Sequence, residues 1–183
     1  MSDIEKIYVT YNDVHKLCQK SADRLLGEFQ PQLMIAIGGG GFIPARILRS
    51  FLKKPGSPNI PIQAIGLSLY ESLGEDTEVE QIGTKVTRTQ WLDLTALGQM
   101  ENLVGKRILI VDEVDDTRTT LEYAVKELEK DNKDKPKKGV LPHDMIDTRY
   151  EAAVTVGDVW INYPWEALDI DEHDQNAEAK RGI

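Results

Sequence analysis

The stretch Ile108-Leu109-Ile110-Val111-Asp112-Glu113-Val114-Asp115-Asp116-Thr117-Arg118-Thr119-Thr120 limits what this chain can become more than any other. Its four apolar residues form a short run bounded by polar ones, the mark of a buried strand. The run opens into two adjacent carboxylates and then an Asp-Thr-x-Thr-Thr cluster, after which Leu121, Ala124, Val125 and Leu128 recur at helical offsets. A strand that passes through a polar loop into a helix is the building unit of a parallel sheet covered by helices.

The same unit occurs upstream. Leu33-Met34-Ile35-Ala36-Ile37 is a second short apolar run, it ends in the four glycines Gly38 to Gly41, and Ile43, Ile47, Leu48, Phe51 and Leu52 continue at helical spacing. Pro44 suits the first turn of that helix, where a missing N–H costs nothing, and Lys53-Lys54-Pro55-Gly56 supplies charges and breakers for its end. Ile62 to Leu69 reads as a further buried strand. An amphipathic opening helix is expected from Asn12 to Gly27 on Val14, Leu17, Cys18, Ala22, Leu25 and Leu26, with Asn12 as cap and Gly27 as stop. The expected fold is therefore α/β, a mainly parallel sheet flanked by helices, as a single domain over residues 1–183. Ligands of such sheets lie beyond the carboxyl ends of the strands, where both unusual loops fall.

Other stretches are less regular. Tyr70 to Arg88, rich in Glu, Thr and Gly without a strong period, reads as a long mobile loop. Lys130 to Lys138 reads as a solvated linker, regular chain resumes at Tyr150 to Val156 and Val159 to Trp165, and the acidic residues from Asp169 to Ile183 read as a frayed end.

Charge narrows the function classes. The 31 acidic side chains outnumber the 22 basic ones, which repels a phosphate backbone and argues against nucleic acid or an anionic membrane as partner. No apolar run approaches the roughly 18 residues of a membrane span, and Met1 to Lys20 is polar and mixed rather than shaped as a signal peptide, so a cytoplasmic protein is expected. The single cysteine, Cys18, allows neither a disulfide framework nor a cysteine-rich metal site and reads as a small buried hydrophobe. An anionic ligand must then be held locally.

Two loops are suited to that. The glycines do not form a dinucleotide fingerprint, which would require glycine where Ile43 stands, nor a P-loop, since Phe42-Ile43-Pro44 supplies no Gly-Lys-Ser. Consecutive glycines before a helix still let backbone N–H groups converge on an anion without side chains in the way. In the second loop, Asp112 and Glu113 are hard oxygen ligands suited to a sugar diol and magnesium. Thr117, Thr119, Thr120 and the helix N-terminal amides offer donors to a phosphate. The plain alternative is an ornate helix cap, since Asp and Thr cap helices anyway.

The segment Ile108 to Thr120 resembles the phosphoribosyl pyrophosphate (PRPP) signature of the type I phosphoribosyltransferases, with Arg118 standing where that family usually has glycine. Gly40-Gly41-Phe42-Ile43-Pro44 is similar to the pyrophosphate loop of the xanthine-guanine branch, although Gly39 replaces a basic residue common there and Arg46 is the nearby cation. Asp158-Val159-Trp160-Ile161-Asn162-Tyr163-Pro164-Trp165-Glu166 resembles the purine-binding hood of the 6-oxopurine enzymes, over residues 150–170, with 171–183 as a tail. Ser68-Leu69-Tyr70 resembles the start of the family's lid.

The resemblance implies a purine salvage enzyme that moves the 5-phosphoribosyl group of PRPP onto N9 of guanine or hypoxanthine, with xanthine as a further base. It implies Asp116 as general base near N7, Asp112 and Glu113 toward the ribose hydroxyls and magnesium, and Thr117, Arg118, Thr119 and Thr120 around the 5′-phosphate. Gly39 and Gly40 would face pyrophosphate, Trp160 would stack on the purine, Ile161 would meet its edge, and Glu166 would address the exocyclic group or a second metal. Ser68 and Tyr70 would belong to the lid. The family follows its PRPP helix with a strand that delivers a lysine to the purine 6-oxo group. Here Leu128 leads into Lys130 to Lys138 instead, leaving Lys133 and Lys135 for that contact. The resemblance also implies a homodimer. The alternatives are a PRPP-binding regulatory protein of the same fold and an enzyme for another base such as adenine.

Overall fold

Strand β2 (Leu33–Gly38) is the axis of the computed structural model, which describes residues 5–72, 80–93, 103, 105–133, 152–157 and 159–181. It pairs in parallel with β3 (Ile62–Ser72) on one side and β5 (Ile108–Val111) on the other, Ala36 standing opposite both Ala64 and Val111. Strand β4 (Glu80–Gln90) adds antiparallel to β3 and gives the order β4-β3-β2-β5. Both faces of β2 are covered, as its unbroken apolar run requires. Met34 and Ala36 pack with Val14, Cys18 and Ala22 of α1 (Tyr11–Arg24) and Ala45 and Leu48 of α2 (Phe42–Phe51). Leu33, Ile35 and Ile37 pack on the other face with Ile65 and with Ala124 and Leu128 of α3 (Thr119–Lys133). Cys18 is buried, as expected.

Four expectations are corrected. Helix α1 is capped by Thr10 rather than Asn12, in a reciprocal box with Asp13: the Asp13 N–H donates to Thr10 Oγ1 (3.2 Å) and the Thr10 N–H to Asp13 Oδ2 (3.0 Å). Gly27 does not stop the helix. The chain continues through a π turn, Leu25–Phe29, and leaves at Gln30, whose φ of 53° turns it away.

The expected loop from Tyr70 to Arg88 is strand at both ends: β3 extends through Ser72, and β4 begins at Glu80. An edge strand needs few buried residues. Val86 is buried whereas Thr87, Arg88, Thr89 and Gln90 are exposed, so polarity hid the strand. Arg88 pairs with Glu127 at 2.8 Å and lies 4.1 Å over the Trp91 ring, while the Trp91 indole donates to Asp131, which ties β4 to α3.

The expected linker from Lys130 is helix as far as Lys133: its lysines are good helix formers, and Asp131 is engaged by the Trp91 indole. Residues 134–138 lie outside the described residues.

The expected frayed tail is helix α4 (Ile170–Arg181). It packs on β1 (Lys6–Tyr8), which pairs in parallel with β6 (Trp160–Asn162). His173 and Ala177 are buried, His173 Nε2 lies 2.9 Å from the Val9 carbonyl oxygen, Lys180 donates to the Lys6 carbonyl, and Arg181 pairs with Asp13. No helix among the described residues is long and apolar enough to cross a membrane.

Candidate active site

The register of the sheet brings the two loops together. Gly38 ends β2 opposite Gly66 of β3, and Val111 ends β5 opposite Ala36, so the glycine loop and the acid pair leave the same edge on neighbouring strands. Ser68 lies two residues beyond Gly66, its carbonyl accepting from Thr87 Oγ1 at 3.4 Å. Tyr70 is in β3, with its side chain outside the described residues.

The four glycines differ in what a side chain would meet. The Gly38–Gly39 peptide is cis, and a Cβ on Gly39 would meet nothing within 4 Å. On Gly40 it would fall 1.8 Å from the Glu113 carboxylate carbon. On Gly41 it would fall 2.4 Å from the Val111 carbonyl oxygen and 2.6 Å from that of Ile37, so only glycine lets α2 start this close to the strand ends. Arg46 is turned along α2, donating to Ser50 Oγ at 2.9 Å.

Asp112 and Glu113 sit in the angle between the strands. The Glu113 N–H donates to Asp112 Oδ1 at 2.9 Å. Burial, offset in part by that hydrogen bond and reinforced by the charge of Asp115, pushes the Asp112 carboxyl up to about 6. Burial also raises Glu113; the Trp165 indole draws it back, while Glu166 and Asp112 push it further up. The Tyr163 hydroxyl is raised to about 12 by burial and by the charges of Glu113, Glu166 and Asp112. Such a pocket favours cations. Among the described residues no group of three or more His, Cys, Asp or Glu side chains is arranged to hold a metal ion by itself.

Beyond the acid pair the chain surfaces. Val114 through Thr119 are exposed, including Asp116. Thr117 Oγ1 and Thr119 Oγ1 lie 2.9 Å apart, and α3 starts at Thr119, which aims its first amides at the loop. Arg118 takes a left-handed φ of 63°, the backbone state a glycine would supply, and its guanidinium holds Asp115 at 3.0 Å.

The third wall comes from the C-terminal segment. Trp160, on β6, is 58% exposed, and Ile161 is held opposite Ile7. Glu166 closes a 3-10 turn, Pro164–Glu166, close enough to Glu113 to act on its ionisation. Lys133 is the last residue of α3, with its side chain outside the described residues, as is all of Lys135.

Three residues of this site stood inside the motifs read from the sequence but received no role there: Gly41, Tyr163 and Trp165. The Tyr163 hydroxyl donates to the Glu113 carbonyl at 2.9 Å and the Trp165 indole to Glu113 Oε2 at 2.9 Å, their rings stacked with centroids 4.8 Å apart. The signal available was a pair of aromatics around Pro164; nothing in it points 50 residues back.

No family model matches the chain. It is 53% identical to xanthine phosphoribosyltransferase 1 of Saccharomyces cerevisiae over 98% of the chain and 99% of the relative. It is likewise 53% identical to the hypoxanthine-guanine phosphoribosyltransferase of Schizosaccharomyces pombe, over 98% of each. The first match spans 206 positions against 183 residues here, so it carries gaps on this chain's side. The segment in which the family's further strand would follow α3, residues 134–150, lies outside the described residues. Among solved structures, a hypothetical protein from Neisseria gonorrhoeae with bound ppGpp superposes with a TM-score of 0.71 and 40% identity, over 98% of this chain and 99% of that one. The regulatory alternative finds no support among these relatives. With identity above one half along nearly its whole length, this chain belongs to the xanthine and hypoxanthine-guanine phosphoribosyltransferase family.

Proposed function

We propose that the enzyme transfers the 5-phosphoribosyl group of PRPP to N9 of guanine and hypoxanthine, with xanthine as a further base, and releases pyrophosphate. The observation that carries this reading is the meeting of Gly40, Glu113 and Trp165, which joins a phosphate loop, a ribose acid and a purine hood in one contact. The ppGpp held by the Neisseria protein is itself a guanine nucleotide rich in phosphate, the combination of ligand groups that this reading requires.

Breaking the bond from C1 to pyrophosphate leaves positive charge on the ribose. The acid pocket would stabilise that charge, since fixed carboxylates need no reorganisation when it develops. Asp116 would take the N9 or N7 proton of the base as N9 attacks C1, and its exposed position in the loop lets a bound base reach it. The amides at the start of α3, with Thr117, Arg118, Thr119 and Thr120, would hold the 5′-phosphate. Gly39 and Gly40 would face pyrophosphate; Trp160, Ile161, Glu166 and Lys133 would surround the purine. Residues 150–170 serve as the hood, and Ser68 and Tyr70 begin the lid.

Magnesium fits this donor set in the way it usually binds, by one or two carboxylates together with oxygens of a phosphorylated substrate. Asp112 and Glu113 would hold it, and burial already raises the Asp112 carboxyl to about 6. When bound, magnesium supplies charge neutralisation for the leaving pyrophosphate. The same reading makes the protein a cytoplasmic homodimer, which sedimentation checks.

Steady-state pyrophosphate release with guanine, hypoxanthine, xanthine and adenine at saturating PRPP and magnesium tests the assignment. Turnover with the 6-oxopurines and none with adenine is expected. PRPP binding without pyrophosphate release for any base would overturn it.

A further inference from the structure

Glu113 is gripped at both ends by the hood. Its main-chain carbonyl accepts from the Tyr163 hydroxyl at 2.9 Å and its carboxylate from the Trp165 indole at 2.9 Å. The two rings lie nearly parallel, at 10°. Trp165 is packed in turn against the core shared by α1, β2 and α2, with the Tyr11 ring 6.3 Å away, so the donor has little freedom. On the opposite side the carboxylate lies against Gly40, where no side chain fits. Two donors and one steric wall thus fix one acid.

We propose that Tyr163 and Trp165 are positioning residues for the phosphoribosyl site: by holding Glu113 at its carbonyl and its carboxylate, they set the ribose acids and the glycine loop against the purine hood. The inference rests on the reading that Asp112 and Glu113 face the ribose. Tyr163 follows β6 directly and Trp165 lies five residues beyond Trp160, so a displacement of the hood is passed to the acid pair through one short segment. The hood therefore does more than accept the base. Its position and the aim of the ribose acid are set by the same contacts.

The test uses the full-length enzyme with PRPP, magnesium and guanine. Trp165→Phe deletes the indole N–H and keeps an aromatic ring, while Tyr163→Phe deletes a single oxygen. Each is expected to raise KM for PRPP roughly 5- to 10-fold while kcat falls less than about 3-fold, since the acid is still present but loosely aimed. Gly40→Ala displaces the same carboxylate, so adding Trp165→Phe to it should raise KM by less than about 2-fold further, the non-additivity of residues that share one partner. Unchanged KM for PRPP in both aromatic variants, or fully additive losses in the double variant, would overturn the proposal and leave a purely structural latch. Glu113→Gln separates the two levels. If it too leaves KM for PRPP unchanged, the ribose reading of the acid pair has failed; if it raises KM while Trp165→Phe and Tyr163→Phe do not, only the positioning inference has failed. Should Trp165→Phe lower the folded fraction, as read from its thermal melt, Tyr163→Phe carries the same test alone.

Discussion

The segment 112–120 contains two sites built in opposite ways. Asp112 and Glu113 are partly buried, and Glu113 is bonded to residues some 50 positions away. Asp115 to Thr119 are exposed, and the Arg118–Asp115 pair and the Thr117–Thr119 contact both lie within the loop. The first part is positioned by the fold; the second by its own backbone and the start of a helix. Substitutions should therefore act through geometry and ionisation in the first part and through chemistry alone in the second.

The largest effect expected falls on the exposed part. Asp116→Asn removes a base while keeping shape, so kcat with guanine should drop by at least ~10²-fold, the usual range for losing a general base. The melting temperature should not move, because Asp116 is exposed. Near-normal turnover would give proton transfer to another group and leave the loop without a catalytic part.

Asp112 should show the reverse pattern, a stability effect that depends on pH. Its carboxyl is raised by burial to about 6, so the folded state holds a proton more tightly than the unfolded chain does. The associated stability is complete below the ordinary carboxylate value and is lost as pH rises through about 6. Asparagine mimics the protonated form and has nothing to lose. Urea unfolding without magnesium should show Asp112→Asn gaining on the parent by on the order of 2 kcal/mol between pH 4 and pH 8. A gap that stays constant with pH would show that Asp112 is not held in a charge-hostile place.

The glycine loop sharpens the contrast within a single dipeptide. Gly40→Ala should raise KM for PRPP roughly tenfold, or ~1.4 kcal/mol, because the Glu113 carboxylate must move aside. Gly39→Ala adds its methyl group to open space and should change KM by less than about 2-fold. Equal losses in the two variants would mean that the backbone conformation of the loop matters, rather than its contact with the acid.

Arg118→Gly should have the smallest effect. Glycine relieves a left-handed backbone at ~1 kcal/mol, and the exposed ion pair that it removes contributes 0 to about 1 kcal/mol. The melting temperature should stay within about 3 °C of the parent. A larger fall would show that backbone strain and the Asp115 pair do not account for what Arg118 contributes.

How far the sequence could be read follows from the same contrast. Strand β5, its acids and α3 were legible because their chemistry is contiguous, and the apolar run of β2 could only be a strand covered on both faces. The Arg118 departure was visible as a break in a resemblance, but its left-handed backbone needed the structure. Trp165 and Glu113 were each conspicuous, yet no local pattern says that an indole will find a carboxylate in a loop 52 residues away. Helix α4 escaped because its buried face is made by His173 and Ala177, which leave almost no hydrophobic period. β4 escaped because an edge strand with Val86 as its buried residue reads as polar chain.

The pairing of β1 with β6 has a kinetic side. Lys6 finds Trp160 across nearly the whole chain, and among the described residues β1 has no other sheet partner. Closing so long a loop is costly in entropy unless the intervening chain has already collapsed. The buried core on both faces of β2 is made by residues from α1 through α3, whereas the β1–β6 pair must wait for both ends of the described chain to meet. A nascent chain can therefore complete the sheet edge that carries the proposed sugar-phosphate loops before the proposed hood has its partner strand.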